Sequence, residues 1–123
     1  MGLGSVSGRG RRPRAAYAVV LGAILATTAL NAAAEDASAR RGNTLVKRHC
    51  AACHATGTTG ASRHPAAPPL RELNRHYEPE NLAEALAEGI LTGHPAMPSF
   101  RFEPNDVRSI ILYLNQIQDR QPS

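Results

Sequence analysis

Apolar positions recur at helical spacing along three stretches of this 123-residue chain, and nowhere do they alternate with polar ones at the period of two that marks a strand. The last stretch is the plainest. Pro104 opens it, Asp106 lies in its first turn, and Val107, Ile110, Ile111, Leu114 and Ile117 form one apolar stripe. Before it, Pro79 heads a helix with Leu82, Ala83, Leu86 and Ile90 on one side and Glu80, Glu84 and Glu88 on the other, and Gly89 is its stop. Residues 37–54 make a first helix, with Leu45, Val46, Cys50 and Cys53 on one face and Arg40, Arg41, Lys47 and Arg48 toward solvent. Gly57, Gly60, Pro65, Pro68 and Pro69 make residues 55–69 a wrapping loop. Residues 70–77 suit one or two helical turns, and Gly93, Pro95 and Pro98 make residues 91–103 a second irregular segment. The expected fold is all-α, three to four short helices joined by irregular loops.

The first third reads differently. Arg9, Arg11, Arg12 and Arg14 precede an uncharged run from Ala15 to Ala34 that ends in the small residues Ala32, Ala33 and Ala34. This is the order of an export signal, with cleavage expected after Ala34, so residues 1–34 are set apart as a signal peptide and residues 35–123 as the folded domain. An uncleaved anchor is the alternative, because about 20 uncharged residues suffice for a bilayer core of about 30 Å. Alanine dominates the run and Thr27, Thr28 and Asn31 lie near its end, which makes it weakly apolar for a permanent span. Arg11 and Arg12 are followed by proline and lack the rest of a twin-arginine signal, so the general secretory route is expected.

That division changes the charge. The whole chain carries 14 basic and 10 acidic residues, but the segment before Glu35 holds four of the bases and no acid. The folded part is therefore neutral, and the basic excess gives no argument for nucleic-acid binding. It is also small, since taking 34 residues from 123 leaves 89, and domains of that size often need a metal, cofactor or disulfide as reinforcement. Its only aromatics are Tyr77, Phe100, Phe102 and Tyr113, with no Trp. Something other than side chains is expected to fill the middle.

Cys50, Ala51, Ala52, Cys53 and His54 form the C-x-x-C-H pattern of c-type haem attachment. Cysteines three apart on a helix share a face, so both thiols can reach the two vinyl groups along one haem edge. His54 follows directly and is aimed at the iron as the proximal ligand. Other readings of these residues fit less well. A thioredoxin-like pair needs a βαβ context that is missing, and a zinc site needs a fourth ligand that only His64, His76 or His94 could bring by chance arrangement. A plain disulfide is the remaining one.

Met97 is the one methionine outside the export segment, in the run His94, Pro95, Ala96, Met97, Pro98, Ser99, Phe100. An isolated methionine is ordinarily a gap-filler in a core. Prolines on either side of a soft thioether suit a preset ligand loop instead, so Met97 is expected as the sixth ligand, with His94 its main competitor and His64 or His76 behind. His49 is expected to face solvent.

On these residues the chain resembles the small monohaem class I cytochromes c of bacteria over residues 39–118. The resemblance implies a contact between Gly42 and Tyr113 where the first and last helices cross. It further implies that the backbone carbonyl of Pro68 accepts the N–H of the proximal histidine, which would raise its basicity, and that Leu70 lines the haem pocket. Phe100 and Phe102 are similar to the aromatics that follow the axial methionine. The aromatic often found four residues after the glycine is Val46 here, and donors to the haem propionates are not legible, Arg71, Arg75 and Tyr77 being candidates.

The function so implied is that of a periplasmic carrier with one covalently attached haem c and no enzymatic activity. Iron held by His54 and Met97 has no open position, which leaves one-electron exchange. Redox partner proteins are expected, whether a membrane oxidoreductase, an oxidase or a dehydrogenase, and contact with the membrane only if the N-terminal segment stays. The alternative is an electron-accepting subunit of an exported dehydrogenase. A ligand-sensing haem protein would need a weak sixth ligand, which the Met97 loop opposes. Arg40, Arg41, Lys47 and Arg48 against Glu78, Glu80, Glu84 and Glu88 make the molecule dipolar, and a basic docking face would give rates that fall with salt.

Overall fold

The computed structural model describes residue 1, the backbone from residue 14 to 89 with side chains from residue 27, and residues 96–118. His94 and the expected core residue Ile90 lie outside the described residues. The chain divides into two units, Met1–Ala32 and Ala33–Ser123. Among the described residues there is no strand, and no helix is long and apolar enough to cross a membrane.

Helix α1, Arg14–Cys50, is 37 residues long. It begins far before residue 37, because the alanine-rich run favours helix and no proline interrupts it. It also ends at Cys50 and not at His54. The N–H groups of Cys53 and His54 both donate to the Cys50 carbonyl, at 3.1 and 2.9 Å, and the next N–H, that of Ala55, leaves the helical ladder for Ser62 Oγ at 3.0 Å. Most of the extra length of α1 lies in residues 14–34, and within residues 35–123 the expected set of short helices holds.

Leu70–Arg75 and Pro79–Leu82 are 3₁₀ turns, the second running into helix α2, Ala83–Glu88. Pro79 stands at the first position of its turn and is fully buried. Gly89 ends α2 in the left-handed conformation, φ 76°, which a side chain would resist. Helix α3, Pro104–Ile117, buries Val107, Ile110, Leu114 and Ile117 as its stripe predicts, together with Ser109 and Tyr113.

The core is one cluster of Val46, Leu70, Leu73, Ile110, Tyr113, Leu114 and Ile117, with Leu45, Cys50, Leu82, Leu86 and Phe102 packed against it. Val46 is 1% exposed, so the small residue at this position is fully used. Helices α1 and α3 meet at Gly42, where an added Cβ would lie 1.9 Å from the Ser109 carbonyl oxygen and 2.9 Å from Tyr113 Cβ. Only glycine permits that approach. Arg41 and Asp106 add an ion pair across the same crossing at 2.6 Å.

Gln118 fastens the end of α3 to the first 3₁₀ turn. Its Nε2 donates to the carbonyls of Leu70 at 2.9 Å and Leu114 at 2.7 Å, while its Oε1 accepts the Asn74 N–H at 3.0 Å. The second 3₁₀ turn is tied to α3 by Asn115 Nδ2, which donates to Glu80 Oε1 at 2.6 Å.

Candidate functional site

The end of α1 projects Cys50, Cys53 and His54 from one tight turn. Cys50 packs against the core, and burial pushes its thiol up to about 11. A thiol so protonated at neutral pH is a poor redox nucleophile, because the thiolate is the reactive form. Cys50 and Cys53 are not bridged to each other. Among the described residues no three side chains of His, Cys, Asp or Glu converge to hold a metal ion.

The loop of residues 55–69 is folded back on this turn by three bonds. Leu70 N–H donates to the Ala55 carbonyl and His64 N–H to the Cys53 carbonyl, each at 3.0 Å, and Arg71 Nη1 donates to the Gly60 carbonyl at 3.0 Å. Tyr113 adds a fourth anchor from α3, its hydroxyl donating to the Thr56 carbonyl at 2.7 Å. These contacts deliver Pro68 to His54. The His54 Nδ1–H donates to the Pro68 carbonyl at 2.7 Å, the bond the family resemblance implied. With the proton on Nδ1, the Nε2 lone pair is left for a ligand bond, and the acceptor carbonyl makes that nitrogen more basic.

Leu70 is buried within the core cluster at the foot of this loop. Met97 is partly buried, in an irregular segment that ends at α3. That segment is attached to α2 at three places: Ser99 Oγ donates to the Gly89 carbonyl, Arg101 Nη2 to the Glu88 carbonyl at 3.1 Å, and Phe102 N–H to the Leu86 carbonyl at 2.9 Å.

His49 does not face solvent as expected. Its ring lies 5.6 Å from that of Phe100 and 5.1 Å from that of Phe102, edge to face with both, and the two phenyl rings stack at 5.9 Å. The sequence held a signal for this, since His49 falls three residues after the buried Val46 and so on the same side of α1. His64 is exposed, its Nδ1 accepting the Ala66 N–H at 3.2 Å, and His76 is exposed. Of the candidate propionate donors, Arg71 is engaged with Gly60 and Glu72, Arg75 pairs with Glu72 at 3.3 Å, and Tyr77 is 42% exposed. The basic face of α1 is partly offset, because Arg40 pairs with Asp36 and Arg41 with Asp106, both arginines remaining exposed along with Lys47 and Arg48.

The residues present fit a haem of the c type. Two unbridged thiols stand one turn apart, an imidazole has its far nitrogen committed to a carbonyl, and a thioether lies on a segment braced by α2. Such a donor set on an all-helical scaffold defines a class, the small cytochromes c. The comparisons agree. Residues 37–114 match the family model described as cytochrome C oxidase, cbb3-type, subunit III. Cytochrome c-552 of Bradyrhizobium diazoefficiens is 30% identical over 95 residues, which is 77% of this chain and 89% of that protein. No solved structure is a significant match. The chain belongs to the small monohaem cytochrome c family, whose members are haem-containing electron carriers.

Proposed function

We propose that this protein is an exported one-electron carrier with a single haem bonded through Cys50 and Cys53 and axially ligated by His54 and Met97. The observation that carries the reading is the 2.7 Å bond from His54 Nδ1 to the Pro68 carbonyl, because it sets the tautomer that metal ligation through Nε2 requires. Bound haem supplies a one-electron iron couple. The chain's own residues do the rest: the two thiols hold the group as thioethers, Pro68 orients the imidazole, and Leu70 keeps water from its side of the pocket. Met97 sulfur as a second ligand would favour the reduced state of the bound iron, which suits a carrier near the oxidising end of a chain of carriers.

Export is expected through residues 1–34, with removal after Ala34. Partners are redox proteins, and Lys47 and Arg48 beside the attachment turn give an acidic partner a place to dock.

Absorption of the purified oxidised protein tests the axial pair. A weak sulfur-to-iron charge-transfer band near the infrared is expected, and Met97→Ala should abolish it and admit carbon monoxide to the reduced iron. A variant spectrum unchanged from the parent refutes the assignment of Met97. Intact mass above that of the bare polypeptide by one haem checks the number and the covalent link.

A further inference from the structure

The segment that carries Met97 touches the rest of the domain on two sides. On one side α2 holds it by hydrogen bonds from Ser99, Arg101 and Phe102. On the other side His49, in the last turn of α1, sets its ring edge to face against Phe100 and Phe102 at 5.6 and 5.1 Å, and Phe102 also packs against the core cluster. His49 is bonded in sequence to Cys50, and Phe100 lies three residues after Met97. One side chain thus bridges the helix that bears the first thiol and the segment that bears the thioether.

We propose that His49 is a positioning residue that clamps the Met97 segment closed and so sets how firmly the methionine sulfur occupies the iron. The inference rests on the His54 and Met97 reading above. The clamp works because aromatic rings in edge-to-face contact attract beyond the area they bury, one ring's positive edge meeting the other's negative face. An aliphatic residue of similar bulk fills the space and loses that attraction. The hydrogen bonds to α2 hold the segment's other side and do not join it to α1.

Titration of the oxidised holoprotein with imidazole, which competes with the sulfur for iron, tests the proposal. Losing two such ring contacts weakens the closed arrangement by about tenfold, so His49→Leu should bind imidazole about tenfold more tightly than the parent and show a weaker sulfur-to-iron band. His49→Phe, which keeps an aromatic ring in place, should stay within about twofold of the parent. The clamp is overturned if His49→Leu also stays within that range, or if it lowers thermal stability while leaving imidazole affinity unmoved, which is what a merely structural side chain would do. It is equally overturned if His49→Phe loses as much as His49→Leu. A parent protein with no sulfur-to-iron band refutes the axial reading itself, and the clamp with it; a parent with the band and an indifferent His49→Leu refutes the clamp alone.

Discussion

Replacing Gly42 by alanine sets two effects of opposite sign against each other. Within a helix interior the exchange gains about 1 kcal/mol, because alanine loses less backbone freedom on folding. Against this, the new Cβ would sit 1.9 Å from the carbonyl oxygen and 2.5 Å from the carbonyl carbon of Ser109, where ordinary contact begins at 3.4 Å. The obstruction is backbone, so no rotamer relieves it. Helices α1 and α3 must part by more than an ångström, and a gap of about 0.5–1 Å already forfeits a quarter to a half of each contact's dispersion energy. Val46, Ile110, Tyr113, Leu114 and Ile117, five of the seven residues in the buried cluster, all lie on the two helices that would separate. Overpacking at such a crossing costs about 3 kcal/mol or more, which leaves a net loss of about 2 kcal/mol after the helix gain. For a domain of this size that corresponds to a Tm lower by about 8–16 °C. Thermal unfolding of the holoprotein followed by circular dichroism reads the shift. Gly57→Ala is the control, since its Cβ meets nothing within 4 Å, and it should move Tm little or raise it. A Gly42→Ala protein that melts at or above the parent refutes the claim that the crossing depends on the missing side chain.

Three further outcomes follow from other contacts. Tyr113→Phe removes the hydrogen bond to the Thr56 carbonyl and should cost about 0.5–1.5 kcal/mol in denaturant unfolding at neutral pH. Burial raises the Tyr113 phenol above its ordinary 10, so the folded state holds the proton longer than the unfolded state. Its contribution is complete below pH 10 and fades as pH rises toward the folded value, and Tyr113→Phe should flatten that part of the alkaline slope; an unchanged slope would contradict the assignment. Gln118→Ala breaks two hydrogen bonds between the end of α3 and the first 3₁₀ turn and a third to Leu114, and a loss of about 1–3 kcal/mol is expected, against no change if solvent replaces them freely. Gly89→Ala forces a side chain to φ 76° with its Cβ 3.1 Å from Ser99 Oγ, so it should cost about 1 kcal/mol or more and weaken the sulfur-to-iron band by shifting the Met97 segment; a full-strength band would show that the segment does not depend on this turn.

Much of this protein was already in its string of residues. The apolar stripe of α3, the proline starts at Pro79 and Pro104 and the glycine stop at Gly89 are local devices, each acting within a turn or two, and the chain obeys them where they stand. The Cys50, Cys53 and His54 spacing is local in the same sense, and it is this spacing that points to the proposed haem attachment. What the sequence left undecided depends on residues far apart. The end of α1 at Cys50 follows from Ser62 taking the Ala55 N–H. The turning of His49 inward needs Phe100 and Phe102, about 50 residues on, which helical period alone does not supply. The partial neutralisation of α1's basic face comes in part from Asp106 across the helix crossing. Local spacing determined which residues are candidates for the chemistry, and tertiary packing decided how they are held, because orientation comes from contacts that only chain folding brings together.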